Sequence, residues 1–140
     1  MTPRGIHHIG HAVVDLEVAV AAYERTLGAH LEHRQVVPEQ GVEAVTVLVG
    51  DARIELLRPL GPDTPVGRFL EKRGPGMHHV AYLVDDVAAA LRDAAASGAE
   101  LIDETPRDGL FGLRCFIHPG SMDGVLVEFV SPARKERSDD

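Results

Sequence analysis

Two segments of this chain have similar sequences, and this repeat constrains the fold more than any other feature. GIHHIGHAVVDL occupies residues 5–16, and GMHHVAYLVDDV occupies residues 76–87. When the two phrases are superposed, both histidines of one pair fall on both histidines of the other. Self-similarity over such a span indicates a duplicated structural unit. The sequence therefore predicts two copies of one module.

Each copy continues into a helical pattern. In the first copy, apolar residues recur at helical spacing from Leu16 to Leu27, with Asp15 as the predicted N-cap and Gly28 just past the end. The second copy shows the same pattern from Val87 to Ala94 and is closed by Gly98. A short helix is also predicted for VGRFLEKR, which lies between the copies. Each module therefore begins with a strand and a helix.

Short strand-like runs complete each module. They cover residues 42–50 and 52–59 in the first copy, and 113–119 and 124–132 in the second. This order of strand, helix and two or three strands predicts a duplicated α+β domain. We expect module 1 at about residues 5–59, a linker at 60–75, module 2 at 76–132, and a polar, disordered tail at 133–140.

Composition limits the classes of binding partner and the cellular location that we expect for this protein. The net charge of -8 argues against nucleic acid as a main partner, since phosphate binding requires a basic surface. No apolar run approaches the length of a membrane span, and MTPRG carries no signal-peptide pattern, so we expect a cytoplasmic protein without membrane association. The single cysteine, Cys115, cannot form an intrachain disulfide, and its alternation in LRCFI predicts a core residue.

Each predicted module carries a histidine on its first strand and a glutamate on its last. The two combinations are His8 with Glu55 and His79 with Glu128. In RIELL and VLVEFV the glutamate stands between apolar residues that point to the other side of the strand. A carboxylate at such a position is costly unless it is paired or bound to a metal. The same cost recurs at matching places in both copies.

A twofold packing of the modules would bring these four side chains to one axis. Two imidazoles and two carboxylates suit a borderline first-row metal ion better than calcium or magnesium. A single histidine in a strand is more often part of the core than a metal ligand. Here a histidine and a glutamate occur at matching positions in both modules, which favours a shared metal site. Only one histidine of each adjacent pair can face the ion, and the spacing does not decide which. For the other histidine candidates, the alternative to metal binding is a structural or supporting role: His7, His78, His11 and His118.

These residues resemble the vicinal oxygen chelate superfamily, which includes glyoxalase I, and within it the methylmalonyl-CoA epimerase family. The resemblance covers about residues 5–132 and rests on IHHIGHAV, HRQVVPEQGVE, IELLRPL, GMHHVAYLVDD and HPGSMDGVLVEFV. The His and Glu pattern is shared with glyoxalase I, whereas PEQGVE combined with HPxSxxGVLVE is more specific. The chain departs from the family at Gly120, where relatives often carry lysine.

The resemblance implies two tandem βαβββ modules that form one vicinal-oxygen-chelate domain with a metal site in the curved sheet. It implies one divalent transition metal ion, with Co²⁺ expected and Mn²⁺, Ni²⁺, Fe²⁺ or Zn²⁺ as alternatives. The family pattern assigns the second histidine of each pair to the ion, so the implied ligands are His8, Glu55, His79 and Glu128. It also implies a homodimer.

The implied reaction interconverts (2R)- and (2S)-methylmalonyl-CoA by removing the C2 proton and returning one to the opposite face through a metal-stabilised enolate. Such a reaction needs two proton carriers. The family assigns this work to Glu43, which ends PEQGVE, and to Glu128. It also implies Gln40 and Ser121 as substrate contacts. The basic residues around the linker are candidates to receive the phosphates of the acyl-CoA, with ordinary solvated surface charge as the alternative interpretation: Arg58, Arg68, Lys72 and Arg73.

Other functions share parts of this pattern. A lactoylglutathione lyase of the glyoxalase I type has the same metal set and the same proton-transfer logic. An extradiol dioxygenase would require a 2-His-1-carboxylate Fe(II) centre, and the fourth ligand, Glu55, argues against it. A drug-binding protein of the bleomycin-resistance type would not need a metal quartet.

Overall fold

The computed structural model describes residues 2–132, which form two βαβββ modules. The first module consists of β1 (Gly5–Ala12), α1 (Leu16–Leu27), β2 (His30–Val37), β3 (Val42–Val49) and β4 (Ala52–Pro59). Helix α2 (Pro65–Arg73) follows it. The second module consists of β5 (Gly76–Leu83), α3 (Val87–Ala96), β6 (Arg107–Gly109), β7 (Gly112–Ile117) and β8 (Val127–Pro132). The predicted α+β class is confirmed, whereas the predicted tail at 133–140 lies outside the described residues.

Matching aspartates begin the two module helices. The carboxylate of Asp15 accepts a hydrogen bond from the backbone N–H of Val18, and that of Asp86 accepts one from Ala89, both at 3.1 Å. Each cap satisfies a backbone donor that the first helical turn leaves without a partner. Gly28 ends α1 in the left-handed conformation, with φ of 64°. Within residues 2–132, no helix has both the length and the apolar character needed to cross a membrane.

The strand order brings the first and last strands of each module together. In the first module the order is β2-β3-β4-β1, and in the second it is β5-β8-β7-β6. The β1–β4 and β5–β8 pairs are parallel, and all other pairs within each module are antiparallel. Gly10 lies opposite Glu55, and Ala81 lies opposite Glu128. Each glutamate is therefore adjacent to the strand that carries a histidine pair.

Each module packs its helix against one face of its strands. The core under α1 consists of Val13, Leu16, Val20, Ala29, Val45, Val47 and Leu56. The core under α3 consists of Val84, Val87, Ala90, Leu91, Cys115, Ile117 and Val127. Because side chains alternate along a strand, the neighbours of these residues point away from the helix. Glu55 and Glu128 occupy such positions, so each glutamate lies on the face of its module that points away from the helix.

Cys115 is a core residue, as the alternation in its strand predicted. Its side chain is fully buried beneath α3. Burial is the main cause that raises the pKa of Cys115 to about 12, and the nearby carboxylate of Asp103 adds to it. A thiol with such a pKa is protonated at neutral pH, which makes it a poor nucleophile.

The boundary between the two compact units of the chain falls inside each histidine pair. Among the described residues, 2–7 pack with 79–132, and residues 8–78 form the other unit. The N-terminal residues are tied to the end of β5, since the N–H of Arg4 donates to the carbonyl of Leu83 at 2.8 Å. The guanidinium of Arg4 also pairs with Asp85 at 2.6 Å.

Gly67 provides a test of the packing of α2. Alanine is normally preferred to glycine inside a helix by about 1 kcal/mol. A Cβ atom at Gly67, however, would overlap the carbonyl oxygens of Gly61 and Pro62. We therefore expect Gly67→Ala to lower the free energy of unfolding by about 1–3 kcal/mol in a denaturant titration. Gly61→Ala is the control, because a Cβ there meets nothing within 4 Å. A Gly67→Ala protein as stable as this control would contradict the packing.

Candidate functional site

The first buried pair lies between β1 and β4. His8 is 1% exposed and Glu55 is 6% exposed. Nε2 of His8 lies 3.6 Å from Oε1 of Glu55. The parallel register explains the contact, because Gly10 is opposite Glu55 and His8 points to the same side two residues earlier.

The second buried pair lies between β5 and β8 and repeats this geometry. His79 is 5% exposed and Glu128 is 6% exposed. Nε2 of His79 lies 3.2 Å from Oε1 of Glu128. Here Ala81 is opposite Glu128, and His79 again stands two residues earlier on the same side. The ring of Phe116 packs edge-on against the imidazole of His79, with 5.8 Å between ring centres.

Both pairs suit a divalent metal ion. Ligand atoms about 2.0–2.2 Å from an ion, and at right angles to each other, are about 3.0 Å apart. The nitrogen–oxygen separation of 3.2 Å in the second pair is close to this value, and the separation of 3.6 Å in the first pair is longer. His8 and Glu55 are also among the buried side chains that could each offer one ligand atom to an ion. Each module therefore carries a histidine and a carboxylate able to hold a divalent ion.

The other histidine of each pair has an aromatic neighbour. His7 packs against Phe111 with 4.8 Å between ring centres, and His78 packs against Phe69 at 5.1 Å. The structure thus brings the second histidine of each pair, and not the first, to the buried glutamate. This is the arrangement that the family resemblance implied, whereas the spacing alone had left both histidines open.

Two buried polar atoms lack a hydrogen-bond partner among the described residues. They are Oγ1 of Thr46 and Nε of Arg114. Thr46 lies opposite Glu55 in the β3–β4 register, on the same side of the strands. Arg114 lies opposite Val130, two residues from Glu128 and on its side. Unpaired buried polar groups are costly and uncommon. One such atom occurs on the glutamate-bearing face of each module.

Glu43 lies on the other face of its module. In the β3–β4 register Glu43 is opposite Arg58, whereas Thr46 is opposite Glu55. Because residues alternate between faces, Glu43 and Glu55 point to opposite sides of the strands. Arg34 and Arg58 donate to the Glu43 carboxylate at 2.8 Å and 2.9 Å. These hydrogen bonds, chiefly that from Arg58, lower the pKa of Glu43.

This geometry speaks against the base role that the resemblance implied for Glu43. A carboxylate held by two guanidinium groups is a weak base, and its direction separates it from the His8–Glu55 pair. The β3 residues on the Glu55 side are Val42, Ala44, Thr46 and Leu48, and none of their side chains is an acid or a base at neutral pH. The first module therefore offers no second carboxylate from β3 beside its histidine and glutamate.

The predicted substrate contacts lie in 3-10 turns. Gln40 ends a turn at Pro38–Gln40 and is half-buried. Ser121 is exposed, and its hydroxyl accepts a hydrogen bond from the N–H of Glu100 at 2.7 Å. This contact anchors the turn that precedes β8. No contact with a substrate follows from either position.

The other two histidines that the sequence singled out have local structural partners. Nδ1 of His11 is 2.8 Å from the hydroxyl of Tyr23, and burial lowers the pKa of His11. Nδ1 of His118 accepts a hydrogen bond from the N–H of Gly120 at 2.9 Å. A Cβ at Gly120 would lie 3.0 Å from this same nitrogen, so the residue that departs from the family pattern makes room for the His118 ring.

The fold and the two histidine–glutamate pairs define a class of protein that comparison with known families identifies. Residues 7–118 match the Glyoxalase/Bleomycin resistance protein/Dioxygenase superfamily. The chain belongs to this superfamily, which is the vicinal oxygen chelate group indicated by its sequence.

Several epimerases are similar to this chain in sequence or in structure. It is 40% identical to the mitochondrial methylmalonyl-CoA epimerase of Homo sapiens over 88% of this chain and 71% of that protein. It is 39% identical to an ethylmalonyl-CoA/methylmalonyl-CoA epimerase of Cereibacter sphaeroides, covering 88% of this chain and 94% of that one. The crystal structure of methylmalonyl-CoA epimerase from Mycobacterium tuberculosis superposes with a TM-score of 0.91 at 37% identity, covering 97% and 93% of the two chains.

A solved structure with a bound ligand resembles this chain to a similar degree. It is a methylmalonyl-CoA epimerase in complex with methylmalonyl-CoA and NH4+, with a TM-score of 0.90 and 35% identity. The match covers 95% of this chain and 97% of that chain.

Metal binding to the two pairs can be tested by thermal unfolding. A ligand that binds only the native state at 100 times its dissociation constant stabilises it by about 2.7 kcal/mol. Added Co(II) should therefore raise the melting temperature of chelator-treated protein, and His8→Ala or His79→Ala should remove most of this shift. His7→Ala is the matched control and should keep it, since His7 packs against Phe111. An equal loss in the control would contradict the assignment within the pair.

Proposed function

We propose that this chain is an enzyme that epimerises methylmalonyl-CoA at C2. The observation that carries the proposal is the buried histidine–glutamate pair found once in each module, in a chain that matches methylmalonyl-CoA epimerases over most of its length. The pairs would provide ligands for an ion, and Glu128 would provide a buried carboxylate as one of the two proton carriers that the reaction needs.

We further propose that the two pairs bind one divalent ion together. The ligands would be His8, Glu55, His79 and Glu128, and Co²⁺ is the expected ion. Mixed nitrogen and oxygen ligands favour a first-row transition metal over calcium or magnesium. When bound, such an ion acts as a Lewis acid that stabilises negative charge developing on the substrate.

Glu128 is the proposed proton carrier. The C2 carbon of methylmalonyl-CoA lies between a thioester and a carboxylate, so loss of its proton gives a delocalised enolate. That carbon becomes planar, and the other isomer forms when a second donor protonates the opposite face. On the Glu55 side of the first module, β3 provides no carboxylate for this second role. The Glu128 side chain is 8% exposed, which keeps bulk water from competing in the transfer. Its contact with His79 holds the carboxylate in one orientation.

The partner and setting follow from the same proposal. The ligand would be a small acyl-CoA, with the enzyme a cytoplasmic homodimer built from a single domain at residues 1–132. Arg68, Lys72 and Arg73 lie exposed on α2 and stay candidates for the CoA phosphates. Arg58 is a weaker candidate than the sequence suggested, because it already pairs with Glu43.

The activity is tested directly with pure (2S)- and (2R)-methylmalonyl-CoA in D2O. The expected result is that each isomer yields the other and that deuterium enters at C2. Parallel incubation with methylglyoxal and glutathione tests the lactoylglutathione lyase alternative. Turnover of that mixture, without deuterium entering methylmalonyl-CoA, would overturn the proposal.

Two glutamate variants should behave differently in this assay. Glu128→Gln removes the proposed carrier, and we expect epimerisation to fall by about 10²–10⁴-fold, the usual contribution of a positioned acid–base group. Glu43→Gln is the matched control, because Glu43 points to the opposite side from Glu55, and it should keep most of the activity. The Co(II)-induced shift in melting temperature reports whether each variant still binds metal. A large loss of turnover in Glu43→Gln, with metal binding intact, would restore it as a base.

A further inference from the structure

Arg114 is a buried cation on the glutamate-bearing face of the second module, the face that carries Glu128. It is 9% exposed, although it stands in a strand whose neighbouring residues form the core. In the β7–β8 register Phe116 is opposite Glu128 and Arg114 is opposite Val130. Arg114 therefore points to the same side as the proposed proton carrier and lies diagonally across from it.

The contacts of Arg114 leave its charge only partly compensated. One terminal nitrogen lies 3.3 Å from Oδ2 of Asp103. That oxygen also accepts a shorter hydrogen bond, of 2.8 Å, from the N–H of Phe116. Oδ1 of Asp103 pairs with Arg107 at 3.2 Å. One carboxylate thus serves two guanidinium groups, while Nε of Arg114 has no partner within residues 2–132. A buried cation in this state gains from a further anion.

The position of Arg114 is built into the fold. Its guanidinium lies over the ring of Phe116, 5.3 Å from the ring centre, and the same ring packs against His79. Gly109 on β6 makes room for the stem of Arg114, because a Cβ atom there would lie 2.5 Å from Cγ of Arg114. A single aromatic ring therefore connects the cation to a histidine of the proposed metal site.

We propose that Arg114 binds the carboxylate of the malonyl group and thereby selects substrates that carry one. This rests on the proposed function. A guanidinium group pairs with a carboxylate through two parallel hydrogen bonds, and such bonds are strongest away from water. The CoA phosphates offer a related anion, but Arg114 is buried on the Glu128 side, where the acyl end must lie for proton transfer at C2. The residue thus determines specificity and does not move the proton.

The test compares two ligands that share the CoA phosphates and differ in the carboxylate. Dissociation constants for methylmalonyl-CoA and propionyl-CoA are measured by calorimetry for the wild type and for Arg114→Met. We expect the substitution to weaken binding of methylmalonyl-CoA by about 10- to 100-fold, the value of a charged hydrogen bond, and to leave propionyl-CoA binding unchanged. Arg114→Lys should recover part of the loss, since it keeps the charge without the planar fork.

Two further variants separate recognition from stability. Arg114→Met leaves Asp103 with less compensation, so the Asp103→Asn and Arg114→Met double variant removes both charges. It should regain stability in a thermal melt but not affinity for methylmalonyl-CoA. Gly109→Ala should shift Arg114 and weaken the same ligand selectively. Regained affinity in the double variant would overturn the proposal.

The two proposals can fail separately. Equal weakening of both CoA ligands by Arg114→Met would place its anion at the phosphates and overturn the carboxylate assignment. Unchanged affinities for both ligands would overturn it as well. If the wild type exchanges the C2 proton in D2O while either of these results is obtained, the epimerase function stands and only the role of Arg114 is wrong.

Discussion

The parallel pairing of the first and last strands in each module is the constraint on which the site depends. It sets His8 against Glu55 and His79 against Glu128, because in both modules the histidine stands two residues before the partner of the glutamate. A parallel pair needs a long connection, and the module helix with its antiparallel strands supplies it. The duplicated order of elements is therefore what allows two residues far apart in sequence to meet twice in the same way.

Local physical signals made much of this fold predictable. Aspartate caps and the glycine after α1 mark the helices, and alternation marks the strands that bury Val45, Leu56 and Cys115. The start of β8 was less predictable. GVLVEFVSP reads as one run, but Asp123 and Gly124 both adopt positive φ after a 3-10 turn, so the strand begins only at Val127. Turn geometry of this kind depends on contacts that a hydrophobic pattern does not contain.

In the structure the second histidine of each pair contacts a buried glutamate, whereas Glu43 lies on the opposite face of the strands from Glu55. The glutamates of RIELL and VLVEFV are flanked by residues that enter the core, so their direction is fixed by burial. Glu43 follows a turn at Gly41, and a difference of one residue there decides which face it takes. The register gives that inner position to Ala44. Arg114 could have been found by the argument applied to the glutamates, since it too interrupts an apolar strand.

The charged groups on the two faces of the first module differ in their partners, and this difference links stability to the proposed function. On the helix side of the first module, Glu43 is satisfied by two arginines, and one of these, Arg34, also pairs with Glu17 on α1. That network is complete and gains little from a ligand. On the other side, buried imidazoles and carboxylates lie together with an unpaired hydroxyl or guanidinium nitrogen. Burial of so many polar groups costs free energy in the ligand-free protein, because each of them is removed from water. In the proposed function a metal ion and an anionic substrate would bind on this side, so the groups that cost stability in the free protein would also be those that bind and act.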